Sequence, residues 1–97
     1  MTLQEVKERL RVHNDELRRM GVASLAIFGS AARDAAGSAS DVDILVEFDR
    51  KVGAFHFFAL QHRLEEILGV RKVDLVQRGA LHPALRDRIL QEAIHVA

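Results

Sequence analysis

Val22-Ala23-Ser24-Leu25-Ala26-Ile27-Phe28-Gly29-Ser30, followed after residues 31–40 by Asp41-Val42-Asp43-Ile44-Leu45-Val46-Glu47-Phe48, sets the architecture of this chain. The first half is a short apolar run closed by glycine, the pattern of a strand that feeds directly into a turn. In the second half Val42, Ile44, Val46 and Phe48 fall on one face of a strand, and Asp41, Asp43, Leu45 and Glu47 on the other. One face belongs to the core. The other carries two carboxylates.

Before this stretch, Leu3, Val6, Leu10, Leu17 and Met20 recur at helical spacing with His13 on the same stripe, which predicts one helix over residues 3 to about 20, ended by Gly21. Thr2 and Glu5 form a capping box at its start. Between the two strands, residues 30–36 have room for barely two helical turns before Gly37 and the polar run Ser38-Ala39-Ser40. After a loop over residues 49–53, Phe57, Leu60, Leu64, Ile67 and Leu68 predict a second long helix, closed by Gly69. Residues 73–77 form a short strand in which Val73 and Leu75 share a face while Lys72, Asp74 and Val76 share the other. Pro83 opens a last helix running to about Ile94, with Leu85, Ile89 and Ala93 expected inward. The order helix, strand, short helix, strand, helix, strand, helix gives an α/β (α+β) class: a small sheet of about three strands with helices packed on one face.

The 97 residues suffice for one core, so a single domain over residues 1–97 is expected. An apolar fraction of 48% and a charged fraction of 29% fit a soluble globular protein. Fourteen basic and 14 acidic residues balance, which leaves no overall field to attract nucleic acid. Cysteine is absent, and with it disulfides, thiolate nucleophiles and cysteine-ligated zinc. The longest apolar run is too short to span a bilayer, and the N-terminus has no apolar signal core, so a cytoplasmic protein without membrane contact is expected. The five histidines are scattered, with no zinc-helix spacing, and read as structural or surface residues. Phe55, Phe57 and Phe58 cannot all face one core from a single helix; either one faces a partner or the core stripe is wide. Arg71-Lys72 reads as a solvated turn, although Lys72 shares a face with Asp74.

Chemistry enters through combination. A strand-to-helix turn presents backbone amides to an anion, and glycine at Gly29 lets a phosphate approach closely, with the Ser30 hydroxyl adding a donor. Asp41 and Asp43, two apart on a strand, point to the same side and can share a magnesium ion. If the two strands are antiparallel neighbours, the turn and the carboxylates meet, and Asp74 can supply a third carboxylate from the next strand. Taken singly, Asp41 as a turn cap and Asp43 as an ordinary exposed strand residue are the better readings. Together with Gly29-Ser30 and Asp74, they favour a metal–triphosphate site.

Ile27-Phe28-Gly29-Ser30-Ala31-Ala32-Arg33 with Ser40-Asp41-Val42-Asp43-Ile44-Leu45-Val46 resembles the signature of the polymerase-beta-like nucleotidyltransferases, and in particular its minimal branch, the MNT domain. The similarity runs over nearly the whole chain, including the aspartate in Val73-Asp74-Leu75-Val76. It implies the nucleotidyltransferase fold with a small mixed sheet. It also implies a magnesium-dependent enzyme, with two ions, that uses ATP. Asp41, Asp43 and Asp74 would be the catalytic and metal-binding residues, Gly29 and Ser30 would hold the outer phosphates, and Arg33 would either neutralise the departing pyrophosphate or remain a solvated surface residue. MNT proteins of this kind pair with helical HEPN toxins. They act as antitoxins, transferring AMP to a tyrosine of the toxin, which implies a hetero-oligomer with that partner. The chain has no tyrosine of its own, so self-modification on that residue is excluded. The main competing reading is an antitoxin that neutralises by docking alone; transfer to a small molecule requires a further domain or a dimer to build its pocket.

Overall fold

The computed structural model describes residues 2–29 and 41–97. The first helix, α1 (Leu3–Val12), opens with the expected capping box: Glu5 N–H donates to Thr2 Oγ1 and Thr2 N–H to Glu5 Oε1, both at 3.2 Å. The helix does not continue to Met20. His13 leaves helical geometry, and α2 (Asn14–Arg19) begins anew. Asn14-Asp15 at the break is a pair of weak helix formers that compete for backbone hydrogen bonds. The bend still delivers Leu17 to the core, and it turns Glu16 toward Arg63, which donates to it through two nitrogens at 2.5 and 3.0 Å.

The strands are β1 (Val22–Phe28), β2 (Asp41–Phe48), β3 (Lys72–Gln77) and β4 (Ile94–His95), in the spatial order β3-β2-β1-β4. β1 is antiparallel to both β2 and β4, and β2 is parallel to β3, so the sheet is mixed. The helix α3 (Ala54–Leu68) makes the crossover between the parallel pair and ends at Gly69, whose φ of 67° closes it in a left-handed turn. In β1 the register shifts between Val22 and Ser24. That irregularity explains why Val22 and Leu25, three apart, are both buried where strict alternation would expose one of them.

Leu25, Ile27, Val42, Ile44, Val46, Val73 and Leu75 line the inner sheet face and pack with Val6, Leu10 and Leu17 of α1 and α2 and with Leu60, Leu64, Ile67 and Leu68 of α3. The mixed α/β sheet with helices on one face is therefore present, with two additions. β4 pairs with β1 through Ala26↔His95 and Ile27↔Ile94, where the last helix had been expected to continue. That helix, α4 (Pro83–Glu92), lies over the outer face, where its Leu90 lines a hollow with Ser24, Ala26 and Leu45. It has no buried residue: Leu85, expected inward, is 52% exposed, while Ile89 and Ala93 are half-buried. The reason is that the inner face is already filled by α1, α2 and α3. The short helix expected at residues 30–36 lies outside the described residues.

Candidate active site

Phe28, the last residue of β1, is paired with Asp43 of β2, so the turn leaving β1 at Gly29 lies against the start of β2. Gly29 has φ 72°, a left-handed backbone that L side chains resist, and a Cβ placed on it would run into the Asp43 carboxylate, whose Cγ is 3.4 Å away. Glycine is thus required both by conformation and by space.

On the other side of β2, the parallel register pairs Asp43 with Asp74 and Asp41 with Lys72. Alternation puts all four on the outer sheet face, away from Val42, Ile44 and Val73. Asp43 and Asp74 are neighbours across the parallel β2–β3 pair. Burial pushes the Asp43 carboxyl above the ordinary aspartate range, and the neighbouring Asp74 carboxylate and the Asp41 charge push the same way. Lys72 Nζ lies 3.3 Å from Asp74 Oδ1, so Lys72 is not merely a solvated turn residue.

Asp74 is positioned from below. In a parallel strand both backbone polar groups of a residue point to the same side, and those of Val73 point to the open edge of β3. Two side chains of α3 meet them there: Gln61 Nε2 donates to the Val73 carbonyl at 2.7 Å, and Val73 N–H donates to Glu65 Oε2 at 3.0 Å. Sequence reasoning missed both residues, since polar positions between Leu60 and Leu64 or beside Leu64 read as a solvated helix face.

Gly29, Asp41, Asp43 and Asp74 are therefore brought to one place on the sheet; Ser30 and Arg33 lie outside the described residues. Among the described residues no three acidic or histidine side chains close into a ready cage for a metal. The donor set nonetheless fits a hard divalent cation that keeps water and phosphate ligands: two neighbouring carboxylates and a third on the same face. Such a group could hold the metal of a metal-chelated triphosphate, with the glycine turn beside it leaving room for phosphates.

The nucleotidyltransferase domain family matches residues 10–96, and the chain belongs to that family. It is similar to the protein adenylyltransferase MntA of Thermococcus cleftensis, at 40% identity over 97 residues that make up 99% of this chain and 97% of that protein. A relative from Methanocaldococcus jannaschii, also named as a protein adenylyltransferase, is 46% identical over 81 residues, 82% of this chain and 93% of that one. The solved structure of a minimal nucleotidyltransferase superposes with a TM-score of 0.80 at 36% identity, over 97% of this chain and 95% of that chain. The fold also recurs in a toxin–antitoxin complex with AMP-PNP, with a TM-score of 0.73 at 19% identity over 94% of this chain and 72% of that one. It recurs again in the complex of a tri-AMPylated Shewanella oneidensis HEPN toxin with its MNT antitoxin, with a TM-score of 0.59 at 16% identity over 90% and 71%. No helix among the described residues is long and apolar enough to cross a membrane.

Proposed function

We infer that this chain is a magnesium-dependent protein adenylyltransferase that moves AMP from ATP to a hydroxyl, that of a tyrosine, on a HEPN-type toxin and thereby acts as its antitoxin. The observation that carries this reading is the Asp43 carboxyl wedged between the Gly29 turn and Asp74 on the outer sheet face. Relatives alike over nearly the full chain, and named as protein adenylyltransferases, support it.

Asp41, Asp43 and Asp74 are the residues that would hold the metal. When bound, magnesium offsets the charge of the triphosphate and eases formation of the attacking oxyanion. Asp74, on the side of β2 away from the glycine turn, faces the acceptor and can orient its hydroxyl or take its proton. The Gly29 turn, with Ser30 and Arg33 following it, receives the outer phosphates, so that attack and departure proceed from opposite sides of Asp43. Lys72, with its Nζ 3.3 Å from Asp74 Oδ1, orients that carboxylate.

The test is to incubate the protein with ATP, magnesium and its HEPN-type partner and to weigh the intact partner by mass spectrometry. Mass increments of adenylyl groups are expected, and none with Asp43→Asn. A partner that is inhibited yet carries no adduct would replace transfer by docking alone, and full transfer by Asp43→Asn would remove the metal-ligand assignment.

A further inference from the structure

Away from the carboxylates, the outer sheet face ends in a cavity of about 690 Å³ whose walls include Arg50, Lys51, Arg78 and Arg86 against a single acid, Glu47. With Asp49, which pairs with Arg50, counted beside Glu47, four cations against two anions leave a local charge of +2 in a chain whose 14 basic and 14 acidic residues cancel. Two of the cations are engaged: Arg50 with Asp49 at 2.6 Å, and Arg78 with Glu47 at 3.5 Å. Lys51 and Arg86 have no ion pair among the described residues. Val52 and Leu90 add apolar surface to the wall.

The place of this cavity matters. Glu47 lies on the same face of β2 as Asp43, four residues on, which is about 13 Å at roughly 3.3 Å per residue. Between them lies the smaller hollow lined by Leu45, Ser24 and Ala26, which shares Glu47, Arg78 and Leu90 with the basic cavity. Gln77, also in its wall, is three residues beyond Asp74 on β3, the strand at the acceptor side of the site. A ligand held in the cavity and reacting at the carboxylates must span that distance. An extended peptide does so with about four residues. A compact anion does not. A dense polyphosphate would also press oxygens onto the Glu47 carboxylate, whereas a peptide with spaced acidic side chains and apolar ones between them matches both the cations and the apolar wall.

We propose that the basic cavity docks an acidic segment of the acceptor protein and sets its hydroxyl over Asp74. This rests on the adenylyltransferase reading, and the experiment keeps the two apart. Binding of a fluorescent peptide of alternating glutamate and leucine at low salt is measured by anisotropy for the wild type, for Lys51→Glu with Arg86→Glu, and for Asp43→Asn. Tripolyphosphate serves as competitor, and magnesium–ATP protection against heat is recorded for each protein. The peptide is expected to bind the wild type and Asp43→Asn alike, to lose at least about tenfold in affinity in the charge-reversed variant, and to weaken with salt. In transfer assays the charge-reversed variant raises KM for the partner protein by a similar factor while kcat at saturation and the ATP protection stay unchanged. Equal peptide binding by the wild type and the charge-reversed variant, or displacement by tripolyphosphate at lower concentration than by free peptide, overturns the proposal. Loss of ATP protection in the wild type instead overturns the nucleotide reading and leaves peptide binding to be judged by itself. Both substituted residues are exposed, so folding is preserved, which circular dichroism verifies.

Discussion

At Asp43 the protein holds a carboxyl group under conditions that favour its proton, and the consequence has a definite sign. A pKa raised by folding means that the folded state binds the proton more tightly, so stability is fullest below the unfolded value and declines as pH rises through the folded one. In the metal-free protein at neutral pH, Asp43→Asn is therefore expected to raise Tm by a few degrees at most, since solvent screens the like-charge repulsion that it removes, while abolishing transfer. If Asp43 holds magnesium as proposed, the metal competes with the same proton, so calorimetric titration should give weaker magnesium binding at pH 5 than at pH 7; pH-independent affinity would detach Asp43 from the metal. Gly29 makes the complementary prediction. Gly29→Ala adds roughly 1–2 kcal/mol of left-handed backbone cost and forces the Asp43 carboxylate aside, so denaturant unfolding should show the loss and transfer should fall further than stability alone explains. The motif was legible here because residue type and spacing are one-dimensional facts. That Gly29 and Asp43 would touch depended on the antiparallel register, which those residues permit but do not state.

Among elements, β3 shows how a weak edge is made to hold a functional side chain. Its first turn of pairing is secured less by the sheet than by Gln61 and Glu65 of α3, which take both outward polar groups of Val73. Gln61→Met and Glu65→Met each leave a backbone group without its partner, at a cost of about 1–2 kcal/mol. Amide exchange should rise at the start of β3 and not in β1, and magnesium affinity should fall with it; uniform acceleration over the sheet would mean global destabilisation instead. The strands β1, β2 and β3 and the helix α3 were readable from period and punctuation, since each has a face that must be buried. The break at His13 was not, because Leu10 and Leu17 keep the same stripe across it and only the polar pair Asn14-Asp15 hints at a restart. α4 and β4 misled for the opposite reason: Leu85 and Ile89 imitate a core stripe, but the helix meets an outer face where nothing is left to bury them. Phe55 and Phe58, 94% and 60% exposed, resolve the earlier alternative in part, since Phe57 is the one packed against the core.

For the molecule as a whole, the decisive feature is that its two sheet faces do different work. The inner face carries the apolar core, so the outer face is free to be polar and is divided between carboxylates at one end and cations at the other. With net charge zero, neither end dominates at long range, and recognition must come from contact within these sites. If magnesium–ATP binds the acidic end as proposed, it would join the Gly29 turn after β1, Asp43 of β2 and Asp74 of β3, and because these strands form the centre and one edge of the sheet, local binding should stabilise the entire fold. Linkage sets the size: ligand at a hundred times its Kd adds about 2.7 kcal/mol to the folded state. In a domain of this length that corresponds to roughly 10 °C or more in Tm. The shift should need ATP and magnesium together, persist in Lys51→Glu with Arg86→Glu, and vanish in Asp43→Asn even though that variant starts from a higher Tm without metal. Reversal of that last order, with Asp43→Asn less stable than wild type when neither ligand is present, would mean that the carboxylate stabilises the fold rather than waiting for a cation.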